Sequence, residues 1–166
     1  ADLYSYFFER GISLLKPDGL FGMIVANKWM RANYGEPLRK WLKQQLIKEI
    51  IDFGDLPVFQ GATTYPAIII ASPANENRKK ETIEVTNIKT LEFSRLKEYI
   101  KENRTWTDKS ALEDAGWNLG SETEQLLLKK LLSEGVTLSE YIKGKIYRGV
   151  LTGLNEAFVI DEATKN

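Results

Sequence analysis

The chain has 166 residues, about the size of one domain, and its 43% hydrophobic and 11% aromatic residues are enough to bury a core. It contains no cysteine and no histidine, which excludes disulfides, thiolate or imidazole metal sites, and every triad that needs an imidazole base. Its 23 basic and 23 acidic residues cancel, so there is no global basic field of a dedicated nucleic-acid binder, and any DNA-binding face has to be local.

Asp2 stands where it can cap a helix with apolar positions Leu3, Tyr4, Phe7, Phe8, Gly11, Ile12 and Leu15. The Lys16-Pro17-Asp18-Gly19 run stops it, with Asp18 read as a turn residue. Leu20 to Ala26 is apolar without alternation, the pattern of a strand covered on both faces in a parallel sheet. Pro37 opens a second helix burying Leu38, Trp41, Leu42 and Leu46, and Trp29 before it is read as core. Ile50 to Phe53 and Tyr65 to Ala71 are two more apolar strands. The helix between the first two strands permits parallel pairing. Gly54 to Thr64 is too short for a crossover helix, so the second and third strands are expected to pair antiparallel.

The polar run from Ser72 to Glu81, including Arg78 to Lys80, reads as a solvated break. Beyond it, Thr82 to Ile88 alternates like a half-exposed strand. Glu92 to Lys101 has helical spacing with Leu96, Tyr99 and Ile100 on one face, and a loop carries Trp106 and Trp117. Ser121 with Glu124 forms a capping box ahead of a leucine-rich helix ended by Gly135. The tail reads as a strand near Lys145 to Arg148, a loop from Gly149 to Asn155, and a strand near Phe158 to Ile160. No apolar run approaches the length of a membrane span, and the start lacks the features of a signal peptide, so a soluble cytoplasmic protein is expected.

The segment Leu14 to Val25 resembles the helix–turn–strand passage late in the Rossmann-like, S-adenosylmethionine-dependent methyltransferase fold, which ends in a reversed hairpin. Asp2-Leu3-Tyr4 with Phe7-Phe8-Glu9, Val25-Ala26-Asn27-Lys28-Trp29, Asp52-Phe53-Gly54, and Val58-Phe59 leading to Tyr65-Pro66-Ala67-Ile68-Ile69 resemble more closely the adenine-specific DNA methyltransferases of the type IIG, TaqI-like restriction–modification class. The matched part is the one that follows their Asn-Pro-Pro-Tyr catalytic loop. Lys145 to Ile160 resembles the opening of their target-recognition region.

This resemblance implies an α/β fold: the C-terminal part of a methyltransferase sheet with a reversed terminal hairpin, then the start of a mixed α+β recognition region. The implied division is residues 1–90 for the methyltransferase part, 91–135 for a helical connector and 136–166 for the recognition part. The implied activity is methyl transfer from S-adenosylmethionine to the exocyclic amine of an adenine flipped out of double-stranded DNA, in a restriction–modification or phage-defence system. No two prolines are adjacent here and no Gly-x-Gly follows an early strand, so catalytic, cofactor-binding and metal residues are expected to be absent from this chain. The chain alone is expected to be inactive, with the missing motifs upstream. The strand Leu20–Ala26 would then lie beside an absent neighbour, leaving an open edge that favours oligomers or poor solubility.

Within the resemblance, Phe59 occupies the position of an aromatic that stacks on the flipped adenine; the alternative is that it packs the hairpin loop. Tyr65 is the second candidate for stacking. Asn27 and Lys28 lie just past the carboxyl end of a strand, the edge where α/β sheets bind ligands. Lys28 and Arg31 are candidates for phosphate contact, with plain solvation as the alternative. Asp52 follows an apolar strand and is given no role. Arg148, Thr152 and Asn155, among glycines of the tail, are candidates for DNA contact or merely solvated loop residues. Two rival readings are a DNA-binding specificity module without catalysis, and a methyltransferase of the same fold acting on a non-DNA substrate.

Overall fold

A computed structural model describes residues 2–61, 64–74, 82–120 and 122–145. In chain order the elements are α1 (Tyr4–Ser13), β1 (Phe21–Ala26), α2 (Glu36–Gln44), β2 (Leu46–Asp52), β3 (Pro66–Ser72), β4 (Thr82–Asn87), α3 (Leu96–Asn103), β5 (Thr105–Asp108), α4 (Glu122–Glu134) and α5 (Leu138–Tyr141). Short 3₁₀ turns cover Asn27–Met30, Asn33–Gly35 and Lys109–Ala111. Two compact units divide between residues 127 and 128.

The first unit is built on a mixed five-stranded sheet of order β1-β3-β2-β4-β5. β2 and β3 pair antiparallel, with Ile50 opposite Ile69, as the short connection requires. β1 also runs antiparallel to β3, with Met23 opposite Ile69, so β1 and β2 point the same way with β3 inserted between them. β2 and β4 are parallel, and β5 closes that side antiparallel to β4. Side chains two apart share a face. Ile50 and Ile69 accordingly look into one cluster, and Ile51 and Ile68 into another.

The first cluster takes Phe8 and Ile12 of α1, Leu38 and Leu42 of α2, and Leu112, Trp117 and Leu119 of the chain after β5. Trp29 is its aromatic centre, with ring centroids 5.7 Å from Phe8 and 5.2 Å from Trp117. On the opposite face α3 lays Leu96, Tyr99 and Ile100 over Ile51, Phe53 and Ile88, the helical face expected from their spacing.

Several expectations are corrected. Asp2 does not cap α1: Leu3 holds the N-cap position, with no side-chain cap hydrogen bond. β1 does not sit inside a parallel sheet. It is the edge strand that the open-edge expectation called for, but its Gly22 and Ile24 are exposed rather than covered. On the face it covers, α3 packs with Ile51 of β2, Ile68 of β3 and Ile88 just past β4, while Gly22 and Ile24 of β1 stay exposed. β4 keeps the expected alternation at its start, with Ile83 and Val85 buried and Thr82 and Glu84 not, and β5 pairs on its far side. Trp106 lies in β5 rather than in a loop, stacked under the Arg104 guanidinium at 5.3 Å. Trp117 is buried in the core.

In the second unit, residues 128–145, the end of α4 gives way at Gly135 to a capping box in which Thr137 and Glu140 satisfy each other's backbone N–H and start α5. The hydrogen bonds from Thr137 hold the Glu140 carboxyl below its ordinary range. Ser121 of the expected capping box, the tail strands, and Arg148, Thr152 and Asn155 lie outside the described residues.

Candidate functional site at one end of the sheet

The carboxyl ends of β1 and β2 and the amino end of β3 meet at one edge of the sheet, the edge where open α/β sheets bind ligands. β1 stops at Ala26 and the chain turns into the 3₁₀ segment Asn27–Met30. β2 stops at Asp52 and turns at Gly54, whose φ of +58° is a conformation glycine adopts without strain. The loop between β2 and β3 returns through Tyr65.

Asn27 and Asp52, only 7% and 3% exposed, form the polar centre of this edge. Asn27 Nδ2 donates to Asp52 Oδ1 at 2.8 Å and to the Gly54 carbonyl at 3.2 Å. The Gly54 N–H donates to the same Asp52 oxygen at 3.0 Å. The Asn27 backbone N–H donates to the Tyr65 carbonyl at 2.7 Å. Arg31 brings a guanidinium nitrogen to 3.6 Å from the other Asp52 oxygen while its side chain stays 67% exposed. A buried carboxylate survives only with such partners.

Around this centre the surface is accessible. Lys28 points to solvent, and Phe59 and Tyr65 are 43% and 42% exposed. Phe59's neighbours Leu56 and Val58 pack against the second cluster, which leaves Phe59 turned outward from its loop. The structure thus brings Asn27, Arg31 and Tyr65 to one edge with Asp52, and places Phe59 on the loop that leaves it. Asp52 is the residue that sequence reasoning left without a role. Its position at a strand's carboxyl end was a visible signal, but a partner 25 residues away was not.

Sequence reasoning also missed Arg39, which is fully buried beneath the same turn. It donates to the carbonyls of Trp29 and of Ala32 (2.8 Å), and to those of Asp114 (2.8 Å) and Ala115 (3.1 Å). Gly35 is required beside it, since a Cβ there would meet the Trp29 carbonyl oxygen at 2.0 Å. A cavity of about 50 Å³ lies between Tyr4, Trp29, Tyr34 and Leu38. Burial and a hydrogen bond to Tyr34 push the Tyr4 phenol above its ordinary range, so it stays protonated there. This cavity has room for a few water molecules and none for a nucleoside. Among the described residues, no three carboxylates gather to hold a metal ion, and no helix is long and apolar enough to cross a membrane.

Residues 1–59 match the Eco57I restriction-modification methylase family. The sequence is 30% identical over 171 residues to the type II methyltransferase M.PaeR7I of Pseudomonas aeruginosa, covering 97% of this chain and 29% of that protein. It is 27% identical over 163 residues to the type II restriction enzyme and methyltransferase RM.Eco57I of Escherichia coli, covering 97% of this chain and 16% of that one. The chain therefore spans less than a third of the length of these curated relatives. In three dimensions it resembles the type IIG restriction endonuclease BpuSI with a TM-score of 0.55 at 12% identity, over 78% of this chain and 17% of that one. That last likeness is one of fold alone.

Proposed function

We propose, from the match of residues 1–59 to the Eco57I restriction-modification methylase family, that the full-length protein is a site-specific DNA methyltransferase acting on the exocyclic amine of adenine. S-Adenosylmethionine would supply the methyl group. None of the residues of this chain is assigned to that cofactor in this reading. They form one wall of the substrate cleft, and the isolated chain is inactive in this reading.

The observation that carries the proposal is the sheet edge where Asn27, Arg31, Asp52 and Tyr65 converge and from which the Phe59 loop departs. The exposed Phe59 ring offers a π-face to a base drawn out of the duplex, and Tyr65 is the second aromatic there. Lys28 and Arg31 supply cations for the flanking phosphates. Residues 1–90 belong to the methyltransferase part in this reading, 91–135 connect, and 136–166, with Arg148, Thr152 and Asn155, open the recognition region.

The test is expression of the full-length protein in a host without adenine methylation, followed by sequencing of the host DNA for N6-methyladenine. A defined methylated site is expected. Methylated cytosine, or no modified base alongside sequence-specific DNA binding, would replace this reading with another methyltransferase specificity or with a non-catalytic specificity module. Phe59→Ala is expected to slow methyl transfer by about 10- to 100-fold, the range of one lost base–aromatic stack.

A further inference from the structure

We propose that Asn27 and Asp52 are positioning residues that tie together both ends of the loop bearing Phe59. The proposal rests on the reading of Phe59 as the base-stacking residue and adds what aims it.

The chain leaves the sheet at Gly54 and returns to it at Tyr65, and Asn27 holds both points. Its backbone N–H is spent on the Tyr65 carbonyl at 2.7 Å and its side-chain amide on the Gly54 carbonyl at 3.2 Å. Asp52 fixes which way that amide faces. Its Oδ1 accepts the Asn27 Nδ2 at 2.8 Å, and a flipped amide would set the Asn27 oxygen against two acceptors, Asp52 Oδ1 and the Gly54 carbonyl. The same carboxylate oxygen takes the Gly54 N–H at 3.0 Å, so Gly54 is gripped through both its N–H and its carbonyl at the residue where φ turns positive. The backbone of Asp52 is itself anchored, its carbonyl accepting from the Ile88 N–H at 2.8 Å. Downstream, Val58 is seated on the second cluster and Phe59 faces out. The direction of the ring thus follows from two constraints, the seat of Val58 and the departure angle at Gly54. Only the second depends on polar side chains.

A base stack needs its aromatic held near one geometry, since small misplacements cost rate. A buried carboxylate is an expensive way to close a hairpin that backbone bonds alone could close. Its use here is explained by the fixed loop direction it gives.

The experiment uses the full-length protein and a duplex carrying its mapped target adenine. Asp52→Ala, Phe59→Ala and the double variant are compared by single-turnover methyl transfer at saturating S-adenosylmethionine, with cofactor affinity measured by calorimetry. Asp52→Ala removes the oxygen that accepts from Asn27 and Gly54, and it is expected to slow transfer about tenfold alone and by less than about twofold in the Phe59→Ala background, with cofactor affinity unchanged, because both act through one ring. Equal cost in both backgrounds, or no cost alone, overturns the clamp and leaves the stacking role of Phe59 standing. A Phe59→Ala variant at wild-type rate overturns both. If Asp52→Ala fails to fold, Asn27→Ala runs through the same cycle with the same expected coupling, because it keeps the backbone bond to Tyr65 and removes only the amide.

Discussion

Arg39 and Asp52 are both charged, both buried, and both hold the turn that begins at Asn27, yet they do so differently. Arg39 lies on the core side of that turn and spends its guanidinium on carbonyls of Trp29, Ala32, Asp114 and Ala115. Asp52 lies at the sheet edge, and its partners include a guanidinium that is mostly in water. The side around Arg39 stitches two distant stretches of chain into one core. The side around Asp52 is open, with Lys28, Arg31, Phe59 and Tyr65 accessible around it. The saturated side is scaffold, and the open rim of cations and aromatics is where the proposed site lies.

The largest effect that would sharpen this contrast is on the scaffold side. Trp117 is 1% exposed and packs edge-on against Trp29 at 5.2 Å, while its backbone N–H donates to the Met30 carbonyl at 2.7 Å. Trp117→Ala is expected to lower unfolding free energy by about 4 kcal/mol, the usual cost of emptying a buried indole site. Denaturant melts of the full-length protein measure it. A loss below about 1 kcal/mol would mean that residues 112–119 are a detachable cover.

Arg39→Met comes next. The methionine fills the aliphatic volume but leaves buried carbonyls without donors, so a loss of about 3 kcal/mol is expected. Arg39→Lys recovers only part of it, because one ammonium does not reproduce the guanidinium fork. The contrast breaks if Arg39→Met leaves the melt unchanged and abolishes DNA binding, since Arg39 would then belong to the site.

These two residues also show where sequence reading stops. Most elements up to residue 72 were legible because they rest on local pattern: an apolar stripe on α1, a Pro-Asp-Gly stop, apolar runs for β1 and β3, and a connection too short for anything but an antiparallel return. The junction after α2 was not, since Leu46, read as a buried helix position, opens β2. β5 was not legible. Thr105–Asp108 is four residues with one buried side chain, and only its pairing with β4 makes it a strand. That β4 lies parallel to β2 is likewise a pairing across 30-odd residues, which no local spacing encodes. Arg39 reads as a solvated helix residue, because its carbonyl partners at 114 and 115 are distant in sequence. At the site, the strand-end position singled out Asn27, while the role of Asp52 emerged only when β2 was laid beside β3.

Gly54 tests the open side with a smaller effect. Its φ of +58° costs a non-glycine residue strain, and nothing lies within 4 Å of where a Cβ would stand. Gly54→Ala is therefore expected to cost about 1 kcal/mol from backbone strain alone. It should slow methyl transfer more than that stability loss accounts for, which a rate measured well below the melting range will show. A normal rate would mean that the loop's departure angle is not under selection by the reaction.

Arg31 should have the smallest effect on stability and the most informative one on binding. Its guanidinium is 3.6 Å from Asp52 and its side chain is 67% exposed, so water screens most of the attraction. Arg31→Ala is expected to change unfolding free energy by less than about 0.5 kcal/mol, as exposed ion pairs do. If Arg31 also meets a phosphate, the same substitution lowers the slope of log affinity against log salt by about 1 and weakens all DNA sequences alike. The two measurements separate the roles. A stability loss above about 1 kcal/mol with an unchanged salt slope would make Arg31 a counter-ion of Asp52 and nothing more. An unchanged melt with a reduced slope would place it on the DNA side of the turn, where the accessible rim of the Asp52 knot predicts it to be.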